Sequence, residues 1–148
     1  MAGDGGGALD PRGGLYALVC SLPQPARIAV GRLGEVHFPS GWYVYVGSAR
    51  GPGGLAARVG RHLRAEKRVH WHVDHLLAWA QVQEAWGRPS AASSECAWAQ
   101  ALARLPGARR WPQGFGASDC RCPGHCIAFP HRPPAQAFQA LGAQRLWP

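Results

Sequence analysis

The sequence has few acidic residues and almost no lysine. Its 148 residues include 16 basic and eight acidic side chains, for a formal net charge of +8, and every basic residue except Lys67 is arginine. Arginine binds phosphate through paired hydrogen bonds and stacks on bases, so a polyanionic partner is one reading and a basic surface that only keeps the chain soluble is the other. A mechanism that needs a carboxylate must draw on eight residues: Asp4, Asp10, Glu35, Glu66, Asp74, Glu84, Glu95 and Asp119.

Long apolar runs are also missing. No run approaches the roughly 18 apolar residues that a transmembrane helix requires, and the N-terminus lacks the basic segment followed by an apolar stretch that marks a secretory signal. The five cysteines are an odd number, and a chain of this length buries enough surface to fold without disulfides. We therefore expect a cytoplasmic protein with reduced thiols and no membrane partner.

The pattern of apolar residues predicts one mixed α/β (α+β) domain. A glycine-rich head, residues 1–12, is expected to be disordered, and residues 13–148 form the domain. Strands are predicted at Leu15–Leu22, Arg27–Val30, Glu35–Phe38, Trp42–Ser48, Gln81–Trp86 and Ile127–Phe129. Helices are predicted over Leu55–Arg64, from His70, from Ser93 or Ser94 to Leu105, and from Pro134. We expect a small antiparallel sheet of three to four strands flanked by helices.

Two glycine and tyrosine motifs lie on predicted strands. Gly14-Leu15-Tyr16 opens the first strand, and Tyr45-Val46-Gly47 lies on a later one, where the period of two places its tyrosine and glycine on one face. The helix that follows carries Arg58 and His62, which are four residues apart and therefore neighbours on its surface. Glu95, in the first turn of a later predicted helix, lies 37 residues beyond Arg58.

This ordered set of residues resembles the GIY-YIG nuclease superfamily. Three longer phrases are similar to its compact Uri-type subfamily, formerly described as a domain of unknown function: Tyr43–Ala49, His70–Leu77 and Phe115–Cys120. The resemblance spans about residues 13–129. It implies a GIY-YIG-like fold and a metal-dependent endonuclease that hydrolyses phosphodiester bonds.

The resemblance implies a role for each residue of the motifs. Glu95 would hold one Mg²⁺ or Mn²⁺, a hard cation that prefers oxygen ligands, with Asp119 as a candidate auxiliary ligand. Arg58 would neutralise the charge that develops on the phosphate.

The general base stays open among three residues. Tyr16 and Tyr45 need a metal or cation nearby to favour the phenolate, because the usual pKa of tyrosine is about 10. The usual pKa of histidine is about 6.5, so His62 needs less help. We expect the tyrosines to position and deprotonate the water, while His62 either hydrogen-bonds the phosphate or relays the proton.

Four further residues are candidates for binding the substrate. Ser48 stands where several superfamily members have a lysine, and Ser48 can donate a hydrogen bond but brings no charge. Arg50 or Arg61 would then supply the missing cation. His72 belongs to a group of histidines for which the resemblance favours a structural or substrate-facing role over a zinc site.

A cluster of potential soft-metal ligands lies near the end of the domain. Cys120, Cys122, His125 and Cys126 are enough in number for tetrahedral zinc. Their spacing is poor, however, because a cysteine pair separated by one residue is less usual than one separated by two, and no second pair follows. The spacing favours reduced, partly buried thiols.

The resemblance thus implies an endonuclease, and we expect it to act on DNA, with RNA left open as a substrate. One catalytic domain leaves little room for reading a long site, so we expect recognition of backbone, shape or single-stranded character. Two alternatives come from other classes. One is a catalytically silent nucleic-acid-binding module that kept the fold, and the other is an interaction domain stabilised by zinc at the cysteine cluster.

Overall fold

The computed structural model describes residues 11–65, 67–89, 94–117 and 122–148. Most of the predicted head lies outside these ranges, as do Asp119 and Cys120 of the predicted site. The carbonyl of Arg12 accepts a hydrogen bond from Leu55 N at 2.9 Å. The chain is therefore attached to the domain close to its first described residue.

Eight strands and four helices occur in the described ranges. The strands are β1 (Gly14–Leu22), β2 (Ala26–Ala29), β3 (Glu35–Phe38), β4 (Gly41–Ala49), β5 (Gln81–Pro89), β6 (Arg109–Arg110), β7 (Cys126–Phe129) and β8 (Gln144–Trp147). The helices are α1 (Gly54–Leu63), α2 (His72–Leu77), α3 (Glu95–Ala103) and α4 (Ala135–Gln139). Six strands form one antiparallel sheet in the order β6-β7-β4-β1-β5-β8, and β2 pairs with β3 in a separate hairpin. The predicted fold class is confirmed.

The sheet is larger than the three to four strands predicted. The additional strands β6 and β8 lie at its two edges. β6 consists of two arginines, and β8 begins with the exposed residues Gln144 and Arg145. Neither segment shows the alternation of apolar residues that predicts a strand, because each is specified by its pairing with a neighbour, β6 with β7 and β8 with β5.

β1 is a central strand, and both of its faces are buried. It pairs with β4 on one side and β5 on the other. Tyr16 and Leu18 face a core that includes residues of α1 and α2, whereas Leu15 and Ala17 face a second core that includes residues of α3 and α4. A strand covered on both faces reads as a continuous apolar run, which explains why β1 is easily predicted from the sequence.

β5 does not end at Trp86, as predicted, but continues to Pro89. Gly87 lies opposite Tyr16 in the pairing of β1 with β5. A Cβ at Gly87 would lie 2.5 Å from Leu146 Cδ1. The absence of a side chain at Gly87 therefore leaves room for Leu146 of β8 to pack against the strand.

α2 begins at His72 rather than at His70. The carboxylate of Asp74 accepts hydrogen bonds from the backbone N–H groups of His70 and Trp71, at 2.8 and 2.9 Å. These bonds hold the two residues before the helix in a non-helical conformation, as a capping side chain does. No helix in the described ranges is both long and apolar enough to cross a membrane.

Candidate active site

A cavity of about 430 Å³ brings together side chains from separate parts of the chain. The lining comes from β4, the loop after β4, α1, the start of α3 and three further segments. The lining residues are Tyr45, Ser48, Arg50, Arg58, Trp71, Glu95, Gly116 and His125. Arginine and glutamate face the same space, so the cavity suits an anion together with a cation rather than an apolar ligand.

Gly47 is required by the tyrosine of the first motif. Tyr16 and Gly47 are paired across β1 and β4, and a Cβ at Gly47 would lie 2.5 Å from both Cζ and Oη of Tyr16. The Tyr16 ring therefore lies across the glycine, and its hydroxyl lies 2.8 Å from His62 Nε2 of α1. The two motifs and the helix are thus in direct contact.

Both motif tyrosines are held in the neutral form. Burial raises the pKa of Tyr16 well above its usual value, and neighbouring Tyr45 adds to the effect, whereas Arg58 opposes it. Burial is also the main cause that raises the pKa of Tyr45, followed by the charge of Glu95. Neither tyrosine is a base at neutral pH unless a bound cation or a proton acceptor helps to remove its proton.

His62 is also neutral. It is 2% exposed, and burial lowers its pKa from 6.5 to about 3 although Asp74 acts in the opposite direction. A neutral imidazole whose Nε2 accepts from the Tyr16 hydroxyl carries its own proton on Nδ1. Within the described residues this Nδ1 has no hydrogen-bond partner and lies 4.0 Å from Asp74 Oδ1. The carboxylate is therefore placed to stabilise a positive charge on His62.

Asp74 is ionised and firmly held. Burial alone would raise its pKa, but the hydrogen bonds from Arg61 and from the backbone of Trp71 and His70 lower it from 3.8 to about 2. Arg61 donates to both carboxylate oxygens, at 2.9 and 3.0 Å. The charge of Arg61 is thus largely balanced by Asp74.

Trp71 supports the two arginines of α1. The guanidinium carbons of Arg58 and Arg61 each lie 4.4 Å from its ring centroid, a distance at which a cation is attracted by the aromatic face. Arg58 also donates from Nη1 to the carbonyl of Ser48 at 2.9 Å. Stacking and this hydrogen bond together fix Arg58 against the wall of the cavity.

Glu95 is the first residue of α3, as predicted. Ser94 caps the helix, because its Oγ accepts a hydrogen bond from Ala97 N at 3.1 Å. The half-buried Glu95 side chain lines the cavity from this helix start. A carboxylate is favoured there because the N-terminus of a helix carries a partial positive charge.

The predicted substrate-binding residues separate into two groups. Ser48 and Arg50 line the cavity. Arg61 is instead paired with Asp74, and His72 Nδ1 accepts a hydrogen bond from Gly116 N at 2.8 Å. The assignment of these four residues to substrate binding remains a prediction. So does the role of Asp119 as an auxiliary metal ligand, because Asp119 lies outside the described residues.

The predicted cysteine cluster is only partly assembled. Cys122 Sγ and His125 lie together with Cys96 of α3, and the ligand atoms of the three residues are all within 4.8 Å of one another. Cys126 lies instead in the core of the sheet, where burial raises the pKa of its thiol and Cys20 adds to the effect. Cys120 lies outside the described residues.

Sequence reasoning did not find Cys96. It is 26 residues from Cys122, so no short spacing motif includes it. The one available signal is its position directly after Glu95, at the start of a predicted helix. The sequence pattern likewise assigned neither Trp71 nor His125 to the cavity that both of them line.

The fold and the cavity define an α+β domain with a six-stranded antiparallel sheet, a separate hairpin and a polar site lined by arginine and glutamate. The chain belongs to the family described as "Domain of unknown function DUF123", whose model matches residues 15–146. That range includes every described residue of the cavity. Neither the search of curated proteins nor the search of solved structures returned a match.

Proposed function

We propose that this protein is a divalent-metal-dependent endonuclease of the GIY-YIG superfamily and Uri type that hydrolyses phosphodiester bonds in DNA. The observation that carries the proposal is the cavity in which Arg58 and Glu95 face the same space as Tyr45. Tyr16, which does not line the cavity itself, is hydrogen-bonded to His62. These five residues, which come from distant parts of the sequence, are therefore close together in the structure.

Glu95 fits the metal that the superfamily resemblance implies. Mg²⁺ and Mn²⁺ prefer oxygen ligands, and Mg²⁺ keeps several of its waters. A half-buried carboxylate at the edge of a polar cavity of about 430 Å³ offers one such ligand and leaves room for water and phosphate. When bound, the metal would polarise the scissile phosphate and stabilise the leaving oxygen.

Arg58 binds and neutralises the phosphate in this proposal. Its guanidinium has five N–H donors, and one of its nitrogens is occupied by the Ser48 carbonyl. The remaining donors can bind two phosphate oxygens at once. Because Trp71 and Ser48 already hold the side chain, little conformational freedom is lost when the substrate binds.

The proton of the attacking water leaves through the tyrosines and His62. Tyr45 lines the cavity and positions the water. The ring centroid of Tyr16 lies 6.2 Å from that of Tyr45, and the Tyr16 hydroxyl is hydrogen-bonded to His62. As the Tyr16 oxygen gains a proton from the water, its own proton moves to His62 Nε2, and Asp74 stabilises the imidazolium that forms. His62 is buried and its Nε2 is already engaged, so we assign it the relay rather than contact with the phosphate.

Binding of DNA is proposed to rest on arginine and phosphate contacts. Arg50 is exposed at the cavity, and the hydroxyl of the half-buried Ser48 can donate to a second phosphate. Such contacts fix the position of a nucleic acid but carry no information about its sequence. We therefore propose recognition of backbone, shape or single-stranded character, and RNA is included among the substrates to be tested.

The proposal is tested with labelled single-stranded, double-stranded and branched DNA and with RNA, each with Mg²⁺, Mn²⁺ or a chelator. The wild type should cut at least one substrate with metal only, and Glu95→Ala should abolish cutting. Glu35→Ala is the matched control, because this carboxylate is 67% exposed and pairs with Arg27 in the separate hairpin. Binding without any cleavage would favour the silent nucleic-acid-binding module instead.

A further inference from the structure

Three soft-metal ligands meet beside the proposed catalytic cavity. Cys96 lies in the first turn of α3, and Cys122 and His125 lie in the segment that leads into β7. The two sulfurs and one imidazole nitrogen are all within 4.8 Å of one another. None of the roles proposed above for Glu95, Arg58 or the tyrosines uses these side chains.

We propose that Cys96, Cys122 and His125 bind a Zn²⁺ ion that attaches the start of α3 to the segment before β7. The site uses different ligands from the Mg²⁺ or Mn²⁺ site at Glu95, although His125 also lines the cavity. Its existence does not depend on the proposed nuclease function.

The distances fit tetrahedral zinc. With Zn–S of about 2.3 Å and Zn–N of about 2.0–2.1 Å, a tetrahedral ion separates a sulfur from a nitrogen by about 3.6 Å and two sulfurs by about 3.8 Å. Cys96 Sγ and His125 Nε2 are 3.4 Å apart. Because no pair exceeds 4.8 Å, the ligands need to move inward by about 1 Å at most.

The chemistry of these ligands selects the metal. Two thiolates and one imidazole favour Zn²⁺ and disfavour Mg²⁺, which requires oxygen. Glu95, one residue before Cys96, is the opposite kind of ligand. Adjacent positions on one helix start would therefore serve two different metals.

The surroundings support a thiolate at Cys122. Arg110 Nη1 donates to Cys122 Sγ and also to the Gly124 carbonyl, each at 3.1 Å. A guanidinium beside the sulfur offsets part of the negative charge that two thiolates bring to zinc. Hydrogen bonds to ligating sulfurs are a common feature around such sites.

The backbone of His125 is already fixed. Its N–H donates to the Phe115 carbonyl at 2.7 Å, and its own carbonyl accepts from Val46 N at 2.9 Å. The side chain is buried. Because His125 is rigidly attached to β4, a zinc ion bound by both His125 and Cys96 would fix the start of α3 relative to β4. Glu95, at that helix start, would then be held at the cavity.

Two metal-free arrangements would also keep these atoms close together. One is a hydrogen bond between the Cys96 thiol and the His125 ring. The other is a Cys96–Cys122 disulfide formed under oxidation. Both are distinguished from zinc by measurements on the wild-type protein, so the test does not depend on a variant that folds.

The experiment uses full-length protein without a histidine tag, purified under reducing conditions, with elemental analysis and intact mass. We expect about one zinc per chain, and replacement of zinc by Co²⁺ should give the intense sulfur-to-cobalt absorption of thiolate ligation. Addition of a strong chelator should release the zinc and lower the melting temperature. Wild-type protein that contains no zinc and does not take up Co²⁺ would overturn the proposal, as would a mass lower by two hydrogens without metal.

Variants then identify the ligands. Cys96→Ser, Cys122→Ser and His125→Ala should each lose most of the zinc, whereas His131→Ala, at an exposed histidine, should keep it. Zinc retained by all three ligand variants would contradict the assignment. Glu95→Ala should keep its zinc, so loss of cleavage with zinc intact separates a failure of one proposal from a failure of the other.

Discussion

Replacing Gly47 by alanine tests the contact on which the site is built. The added Cβ would lie 2.5 Å from Tyr16 Cζ and Oη, so the ring must move, and its hydrogen bond to His62 at 2.8 Å must lengthen or break. Overpacking costs about 1–3 kcal/mol, and a buried polar group that loses its partner costs about 1–3 kcal/mol. We expect Gly47→Ala to lower the free energy of unfolding by about 2–6 kcal/mol.

Urea denaturation measures this change, and Gly60→Ala is the matched control. Gly60 lies within α1, and a Cβ there meets nothing within 4 Å among the described residues. Alanine is favoured over glycine inside a helix, so the control should gain about 0.5–1 kcal/mol. A Gly47→Ala protein as stable as the wild type would refute the contact between Tyr16 and Gly47 and, with it, the placement of the relay.

The remaining predictions concern charge and proton position. The pKa of His62 falls from 6.5 to about 3 on folding, so the contribution of the neutral ring to stability is full above about pH 6.5 and decreases in acid. In His62→Gln, the urea midpoint should therefore change less between about pH 6.5 and 4 than it does in the wild type. The pKa of Asp74 falls from 3.8 to about 2, so its contribution is present above about pH 4 and is lost towards pH 2, a loss that Asp74→Asn should remove in thermal melts. Arg58→Lys keeps the charge but loses the paired hydrogen bonds, and single-turnover cleavage should slow by about 100-fold. Raising salt from about 50 to 200 mM should weaken DNA binding by about 10- to 100-fold in fluorescence anisotropy.

Each of these predictions has an outcome that contradicts it. A His62→Gln protein with the same acid profile as the wild type would mean that His62 is not held neutral by folding. If Asp74→Asn melts like the wild type at every pH, the pair with Arg61 does not stabilise α2. Cleavage by Arg58→Lys at the wild-type rate would mean that only the positive charge of Arg58 matters, not its paired hydrogen bonds. DNA affinity that does not change with salt concentration would exclude phosphate contacts as the main source of affinity.

Much of the fold can be predicted from the sequence, because local pattern and tertiary burial agree. β1 is apolar along its whole length since both of its faces are buried, and α3 begins where Ser94 and Glu95 predict a helix start. The edge strands could not be predicted. The two arginines of β6 carry no strand pattern, and their conformation depends on β7, which follows them in the chain.

The candidate site shows the same division. Tyr16, Tyr45, Arg58 and Glu95 could be proposed from the sequence because their order and spacing resemble those of the GIY-YIG superfamily. The partners that hold Arg61 and His72 could not be proposed, because an ion pair with Asp74 and a hydrogen bond from Gly116 require the folded chain. Cys96 was missed for the same reason, since its neighbours come from a distant segment.

The central claim is that Glu95 is a metal ligand in phosphodiester cleavage. The most direct measurement is the single-turnover rate on a labelled DNA substrate, with saturating protein and titrated Mg²⁺ or Mn²⁺, for wild type, Glu95→Gln and Glu35→Gln. We predict metal-dependent cleavage by wild type and Glu35→Gln, and a loss of about 100-fold or more in Glu95→Gln with DNA binding retained. Cleavage by Glu95→Gln at the wild-type rate, or no cleavage by wild type of any substrate with either metal, would contradict the account.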